Sequence, residues 1–172
     1  MKLLKSSSRT KWKDTKIDIL CLSETRTCGS STKVITAPDS LQQLYFFYSG
    51  VENNSGLHGV GLLLRQRVRN ALLEWESISL CLAKIRFKGN RADISLLSAY
   101  ASTRDALGET KNDFYMELET VNAATATRDY LIVAGDFNAR VGTKDQTASQ
   151  VLGNFELGQR CKNGEMLVNY PQ

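Results

Sequence analysis

Short apolar segments that end in turn residues recur along this chain of 172 residues, and they constrain its fold more than any other feature. Most of them have the length of a buried strand and are too short to be ordinary helices. Residues 88–91, Lys-Gly-Asn-Arg, separate two of the segments and predict a β-hairpin. The predicted strands are residues 17–22, 44–49, 60–64, 77–87, 92–100 and 129–134.

One segment shows helical periodicity instead. Within residues 110–126, Phe114, Leu118 and Val121 recur at the spacing of one helix face, and a further helix is expected to begin at Glu165. Hairpin strands with one long helix between strands favour an α/β sandwich with mixed sheets over a regular βαβ winding. The sequence contains neither the Gly-x-Gly-x-x-Gly turn of a Rossmann fold nor a Gly-Lys-Ser/Thr phosphate loop.

The net charge of +4 is mild and permits a polyanionic partner without requiring one. Basic residues crowd the first 16 positions, where Asp14 is the only acid. We expect residues 1–16 to be a loosely ordered segment and residues 17–172 to form one domain. The composition of the basic segment is equally compatible with contact to nucleic acid and with simple solvation.

The four cysteines are scattered and His58 is the only histidine, so the ligand spacing of a zinc site is missing. We expect the cysteines to be reduced structural thiols, with Cys21 and Cys81 in strands. No apolar run reaches the length of a membrane span. These features favour an intracellular protein.

Polar side chains lie at the ends of three predicted strands. They are Glu24, Tyr100, and the pair Asp136 and Asn138. Strand ends that converge on one edge commonly build a site, and a carboxylate there needs a partner or a metal.

This set of residues fits phosphodiester hydrolysis with Mg²⁺, which prefers oxygen ligands and keeps several waters. Glu24 is expected to bind the metal, and Asp136 to take a proton from an attacking water. Asn138 is expected to contact a phosphate oxygen and orient Asp136, and the Tyr100 hydroxyl to stabilise charge on the phosphoryl group.

Each of these residues has a simpler explanation when it is taken alone. Asp136-Phe137-Asn138 is also a common turn sequence, in which side chains bond local backbone amides. Glu24 alone is typical of a solvated loop, and Tyr100 alone is typical of packing. The ordered combination is what favours a site.

Two further features are interpreted as structural. His58 precedes Gly59-Val60-Gly61, where a turn entering a strand is favoured over a catalytic role. Arg65, Arg67 and Arg69 alternate, so an extended segment would place them on one face. A solvated edge is favoured there over phosphate contact.

Three segments resemble motifs of the endonuclease/exonuclease/phosphatase superfamily. Residues 17–26 resemble its first metal-ligand motif, residues 98–103 its tyrosine motif and residues 133–142 its Asp/Asn motif. A finer resemblance is to endonuclease domains of LINE-type retrotransposons and to the related craniofacial development protein 2 group. It is carried by residues 48–50, 58–61, 153–158 and 163–165.

The resemblance implies a deoxyribonuclease-like fold, a four-layer αββα sandwich of two packed mixed β-sheets flanked by helices. It implies Mg²⁺ or Mn²⁺ as the cofactor, DNA as the partner and a nuclear location. Glu24 matches the family's metal ligand, Tyr100 its phosphate-contacting tyrosine, and Asp136 with Asn138 its catalytic pair. No protein partner or oligomer is indicated.

The chain also departs from the family pattern. It has no counterpart of the opening strand with a site asparagine, of the second aspartate or of the Ser-Asp-His motif, and Ser102 replaces the usual proline. We therefore expect an incomplete domain with an open sheet edge and exposed apolar surface.

Three functions remain open. The first is a Mg²⁺-dependent DNA endonuclease of retrotransposon origin, and the second is a catalytically dead nucleic-acid-binding remnant. The third is a phosphatase acting on inositol or lipid phosphates, which the finer motifs argue against. The missing groups favour little or no activity of the chain alone, because groups that act jointly are costly to lose.

Overall fold

A computed structural model of the chain describes residues 16–36, 43–52, 58–103, 106–143, 150–153 and 158–170. The chain divides into two compact units. The first, here called the sheet unit, comprises Met1–Tyr100 and Thr125–Gly135, and the second, the helical unit, comprises Ala101–Ala124 and Asp136–Gln172. All but the last residue of the predicted basic segment 1–16 lies outside the described residues, as does most of the motif at 153–158.

The first sheet of the sheet unit contains antiparallel strands in the order β1-β4-β3-β2. They are β1 (Ile19–Ser23), β2 (Ser31–Thr36), β3 (Gln43–Ser49) and β4 (Val60–Arg65). The central strands β3 and β4 are apolar and largely buried. The edge strand β2 is polar and exposed, which is how natural sheets avoid edge-to-edge pairing.

The second sheet contains strands in the order β5-β6-β7-β8. They are β5 (Leu72–Ser77), β6 (Leu82–Phe87), β7 (Ile94–Tyr100) and β8 (Tyr130–Asp136). β5, β6 and β7 are antiparallel neighbours. β8 runs parallel to β7, because the Tyr130 N–H donates to the Asp93 carbonyl at 2.9 Å near the start of both strands, and Gly135 lies against Ala99 near their ends. This sheet is mixed as predicted, whereas the first is antiparallel.

The core lies between the two sheets. Phe47, Leu62 and Leu64 from the first sheet and Ala83 and Ile85 from the second belong to one buried cluster. Full burial of a leucine or isoleucine side chain is worth about 1.5–3 kcal/mol, so a shared cluster of this kind holds the sheets together. The predicted α/β fold of two packed sheets is confirmed.

The described residues include three helices. They are α1 (Gln66–Arg69), α2 (Gly108–Ala124) and α3 (Lys162–Val168). α2 confirms the helix predicted at 110–126, and its Phe114, Leu118 and Val121 are buried as the periodicity indicated. α3 begins before the expected start at Glu165. Within the described part of the chain, no helix is long and apolar enough to cross a membrane.

The single strand predicted at residues 77–87 is wrong. Ser77 ends β5, and β6 begins only at Leu82. Between them, the Ser79 hydroxyl accepts the N–H groups of Cys81 and Leu82, each at 3.2 Å. A serine that bonds backbone amides two and three residues further on competes with strand pairing. Cys81 therefore lies in a turn and not in the predicted strand.

The alternation of Arg65, Arg67 and Arg69 would place them on one face only in an extended segment, and the chain is not extended there. Arg65 ends β4, whereas the other two arginines lie in α1. The Arg67 guanidinium donates both of its bonds to Asp18 at 2.5 Å, and Arg69 lies 5.7 Å from the centre of the Tyr45 ring. The arginines therefore contact different partners and do not share the face of a strand.

β8 ends the strand order of the second sheet. Its Tyr130 and Ile132 side chains are 66% and 48% exposed. Among the described strands, β8 therefore lies at an edge of its sheet and carries partly exposed apolar side chains, and the incompleteness of the domain stays a prediction.

Candidate active site

Glu24 and Tyr100 meet in the sheet unit although 76 positions separate them in sequence. Glu24 follows β1, and Tyr100 is the last residue of β7. The Tyr100 hydroxyl donates a hydrogen bond of 3.0 Å to Glu24 Oε1. The tyrosine ring is buried and the carboxylate is half exposed. The structure thus brings together the predicted metal ligand and the predicted phosphate-contacting tyrosine.

The turn that carries Glu24 continues the pairing of β1 with β4. The Thr25 N–H donates to the Gly59 carbonyl at 3.1 Å, and the Arg26 N–H donates to the His58 carbonyl at 3.0 Å. Gly59 has a φ of +98°, and a Cβ there would lie 2.5 Å from Thr25 Oγ1. Both the positive φ and this close approach favour glycine at position 59.

Two cationic or ionisable residues join Glu24 and Tyr100. The Arg26 guanidinium donates to Glu24 Oε2 at 3.1 Å, and the His58 ring centre lies 6.1 Å from that of Tyr100. Together these four residues form what we call the Glu24 cluster. No role for Arg26 is predicted from the sequence, and His58 is interpreted there as structural. The positions of both residues depend on left-handed backbone conformations, so no local sequence pattern identifies them.

Three members of the Glu24 cluster have left-handed backbone conformations. φ is 50° at Glu24, 50° at Arg26 and 56° at His58. Such a conformation costs roughly 1–3 kcal/mol at a residue other than glycine, although histidine tolerates it better than most. The exposed ion pair of Arg26 with Glu24 contributes at most about 1 kcal/mol, too little to offset two such residues. Interactions of the surrounding backbone must therefore offset the cost of these conformations. Strained backbone of this kind is common at functional sites.

The electrostatics of the Glu24 cluster favour the charged carboxylate. The hydrogen bond from Tyr100 lowers the pKa of Glu24 most, and the bond from Arg26 lowers that pKa further. Both donors stabilise the ionised form. Glu24 is therefore held as an anion, which is the form that binds a metal cation.

Asp136 and Asn138 form a second pair, in the helical unit. Asp136 ends β8, and its Oδ1 accepts the backbone N–H of Asn138 at 2.9 Å. This local bond is the turn chemistry that the sequence allows for Asp-x-Asn. The Asn138 side-chain amide donates to the Ala101 carbonyl at 2.8 Å. Asn138 thus orients Asp136 through its backbone, and its phosphate contact stays a prediction.

Asn163 supports this second pair, although no role for it is predicted from the sequence. Its side chain is buried, and its Nδ2 donates to the Ser102 carbonyl at 3.0 Å and to the Asn138 carbonyl at 3.2 Å. The next residue, Gly164, lies where any Cβ would collide with the Arg140 carbonyl oxygen. A side chain at position 164 would push α3 away, so the glycine lets Asn163 reach both carbonyls.

Gly135 explains why the Asp/Asn motif begins with glycine. A Cβ at this position would collide with the Ala99 carbonyl oxygen of β7. Any larger residue would therefore separate β8 from β7 just before Asp136.

Glu24 is the member of its cluster that suits a divalent metal. Its side chain is 51% exposed, so water reaches it. Among the described residues, no group of three or more His, Cys, Asp or Glu side chains could jointly hold a metal. Mg²⁺ tolerates a single carboxylate because it retains several waters, whereas zinc needs several close ligands. The single exposed carboxylate of Glu24 is a ligand that a hydrated Mg²⁺ can use, and the metal itself stays a prediction.

Comparison with solved structures bears on the fold. The chain is similar to the endonuclease domain of TRAS1, a telomere-specific non-LTR retrotransposon, with a TM-score of 0.54 and 14% identity over 97% of this chain and 63% of that one. It is also similar to the AP endonuclease LMAP from Leishmania major, with a TM-score of 0.51 and 14% identity over 93% of this chain and 57% of that one. The chain has the deoxyribonuclease-like fold. These likenesses confirm the predicted fold, which is what similarity at this level of identity shows.

Sequence comparison finds members of the craniofacial development protein 2 group, which the finer motifs of the chain resemble. Craniofacial development protein 2 from Bos taurus is 29% identical over 154 residues, which are 90% of this chain and 24% of that protein. The protein of that name from Tragulus javanicus is 28% identical over 154 residues, covering 90% of this chain and 25% of that protein. The chain spans about a quarter of the length of these curated relatives. No family model matches the chain.

Proposed function

We propose that the chain is a metal-dependent phosphodiester hydrolase module that cuts DNA. The observation that carries the proposal is the bond from the Tyr100 hydroxyl to Glu24, held by a strained turn at the predicted strand ends. The TRAS1 and LMAP structures compared above are of endonucleases, which supports a nucleic acid as substrate. A DNA substrate makes a nuclear location the expected one.

Each predicted residue has a role in this proposal. Glu24 would hold Mg²⁺ or Mn²⁺, and the bound metal would supply Lewis-acid chemistry at the phosphate. Tyr100 orients the Glu24 carboxylate through its hydroxyl. Asp136 is the base that takes a proton from the attacking water. Its Oδ1 accepts the Asn138 N–H, so the proton goes to the other carboxylate oxygen.

Plasmid nicking tests the proposal. The full chain is expected to convert supercoiled DNA to nicked circles with Mg²⁺ and not with EDTA. Asp136→Ala should lower the rate at least about 100-fold, the usual contribution of a general base. Asp113→Ala, an exposed aspartate in α2, is the matched control and should keep the wild-type rate. Equal nicking by wild type and Asp136→Ala would contradict the role of Asp136.

A second candidate is a module that binds nucleic acid without cutting it. It is favoured by the Asn138 side-chain amide, which donates to the Ala101 backbone carbonyl. Duplex binding without nicking in either Mg²⁺ or Mn²⁺ would select it. Release of phosphate from inositol phosphates without nicking would instead select the phosphatase.

A further inference from the structure

We propose that Arg26 is a substrate-phosphate contact of the Glu24 cluster, and that its ion pair with Glu24 competes with metal binding. The inference rests on the proposed function and adds a residue to it. Arg26 has an exposed guanidinium, with 66% of its side chain accessible, and its bond to Glu24 Oε2 is 3.1 Å long. It therefore lies at the carboxylate that is expected to hold the metal.

The backbone keeps Arg26 in this position. Its N–H donates to the His58 carbonyl at 3.0 Å, and its φ of 50° belongs to the left-handed region. A surface ion pair alone does not explain why an arginine occupies such a strained position. A role in substrate binding explains it, because the guanidinium lies beside the predicted metal ligand and the Tyr100 hydroxyl. It matches a phosphate group in charge and in hydrogen-bond geometry.

A metal ion and Arg26 would compete for the Glu24 carboxylate. Oε1 accepts the bond from Tyr100 and Oε2 accepts the bond from Arg26. Because like charges repel, a divalent cation held by this carboxylate would weaken the ion pair between Arg26 and Glu24. The Arg26 guanidinium would then be available to a phosphate group of the substrate. Removal of Arg26 should therefore strengthen metal binding and weaken DNA binding.

The first measurement is Mn²⁺ binding to the full chain, followed by the electron paramagnetic resonance signal of free Mn²⁺. Arg26→Gln should bind Mn²⁺ about fivefold more tightly than wild type, the upper range for an exposed ion pair. Arg26→Asn, which suits a left-handed backbone, should do the same. Arg91→Gln, at an exposed arginine of the β6–β7 hairpin, is the control and should bind as wild type does.

The second measurement is binding of a short fluorescent DNA duplex in EDTA at several salt concentrations. Arg26→Gln should bind about fivefold more weakly, with a salt slope smaller by about 1, as expected for one lost phosphate contact. Arg26→Lys should restore the slope because it keeps the charge. Thermal melting of each variant reports whether it remains folded.

Opposite changes in the two affinities would support the inference, because a purely structural role would weaken both. The inference would be overturned if both Arg26→Gln and Arg26→Asn bound DNA as tightly as wild type. It would also be overturned if these variants were folded and bound Mn²⁺ more weakly than wild type. Either of these outcomes would contradict only the role of Arg26 if the wild type nicks DNA and Asp136→Ala does not, because the proposed function would then still be supported. A wild-type chain that neither binds nor nicks DNA would remove both.

Discussion

Glu24 takes its ionisation from its neighbours and not from burial. The Tyr100 hydroxyl has the largest lowering effect on its pKa, and Arg26 adds to that effect. The carboxylate is half exposed, so solvent screens these interactions and their contribution to stability is small. Their consequence is chemical: the carboxylate stays ionised and oriented at the position where a metal is proposed.

Tyr100→Phe tests this arrangement because it keeps the buried ring and removes only the hydroxyl. We expect the pKa of Glu24 to rise toward its ordinary value of about 4.3, since the largest cause of the lowering is lost. Carboxyl NMR titration measures this pKa. If the module cuts DNA, the nicking rate should also fall about 100-fold, the usual effect of removing one positioned donor.

Tyr130→Phe, at an exposed tyrosine of β8, is the matched control. It should leave both the pKa of Glu24 and the nicking rate unchanged. A Glu24 pKa that is the same in Tyr100→Phe and wild type would contradict the hydrogen bond.

The strands of the second sheet are joined by an ion-pair network as well as by their ladders. The Arg86 guanidinium donates to Asp129 at 2.6 and 3.0 Å and to Asp93 at 2.7 Å. The Ser95 hydroxyl donates to Asp129 at 3.1 Å. Asp129 directly precedes β8, and its side chain is almost inaccessible to solvent. The network therefore connects β6, β7 and the start of β8.

Asp129→Asn should destabilise the fold in a pH-dependent way. The hydrogen bond from Arg86 is the main reason that the pKa of Asp129 lies below its ordinary value. A carboxyl group with a lowered folded pKa contributes stability above its unfolded pKa of about 3.9, and that contribution is lost as the pH falls through the folded pKa. Wild type should therefore exceed the variant in stability at neutral pH, with a difference that narrows in acid.

Urea unfolding at a series of pH values measures this difference. Asp113→Asn, at an exposed position of α2, should show no such narrowing. A difference between wild type and Asp129→Asn that stays constant down to strongly acidic pH would argue against a charge effect.

At the scale of the sheet unit, the two sheets depend on the cluster that they share. Ile85 is fully buried in this cluster, whereas Ile132 on β8 is 48% exposed. The same residue type therefore occupies the centre of the core and the open edge. The same substitution at the two isoleucines therefore compares what a buried and an exposed side chain contribute to the free energy of unfolding.

Ile85→Ala is expected to lower the free energy of unfolding by about 2–5 kcal/mol, because it leaves a cavity that the neighbours fill only in part. Ile132→Ala should change it by less than about 1 kcal/mol, since that side chain already contacts water. Chemical denaturation of the two variants measures both values. Equal losses would show that the shared cluster is not the main source of stability.

Strands with strongly apolar sequences were predictable, and half-exposed ones were not. β3 and β4 follow directly from their apolar residues. β2 reads Ser-Thr-Lys-Val-Ile-Thr and is almost entirely exposed, so it resembles a loop in sequence. β5 has alternating glutamates and only partial burial. β2 and β5 form strands because they pair with β3 and β6, and their own composition does not predict this pairing.

The sequence by itself determined where the most apolar strands lie and which polar residues end the strands, because both are local properties of the chain. It placed Glu24, Tyr100, Asp136 and Asn138 at those ends. Only the tertiary structure decided which contacts these residues make. Arg26 reaches Glu24 through a left-handed turn held by backbone bonds to residues 58 and 59. Asn163 reaches the Asn138 carbonyl from 25 positions away. Such contacts depend on backbone conformation and on residues distant in sequence, and no local pattern encodes either.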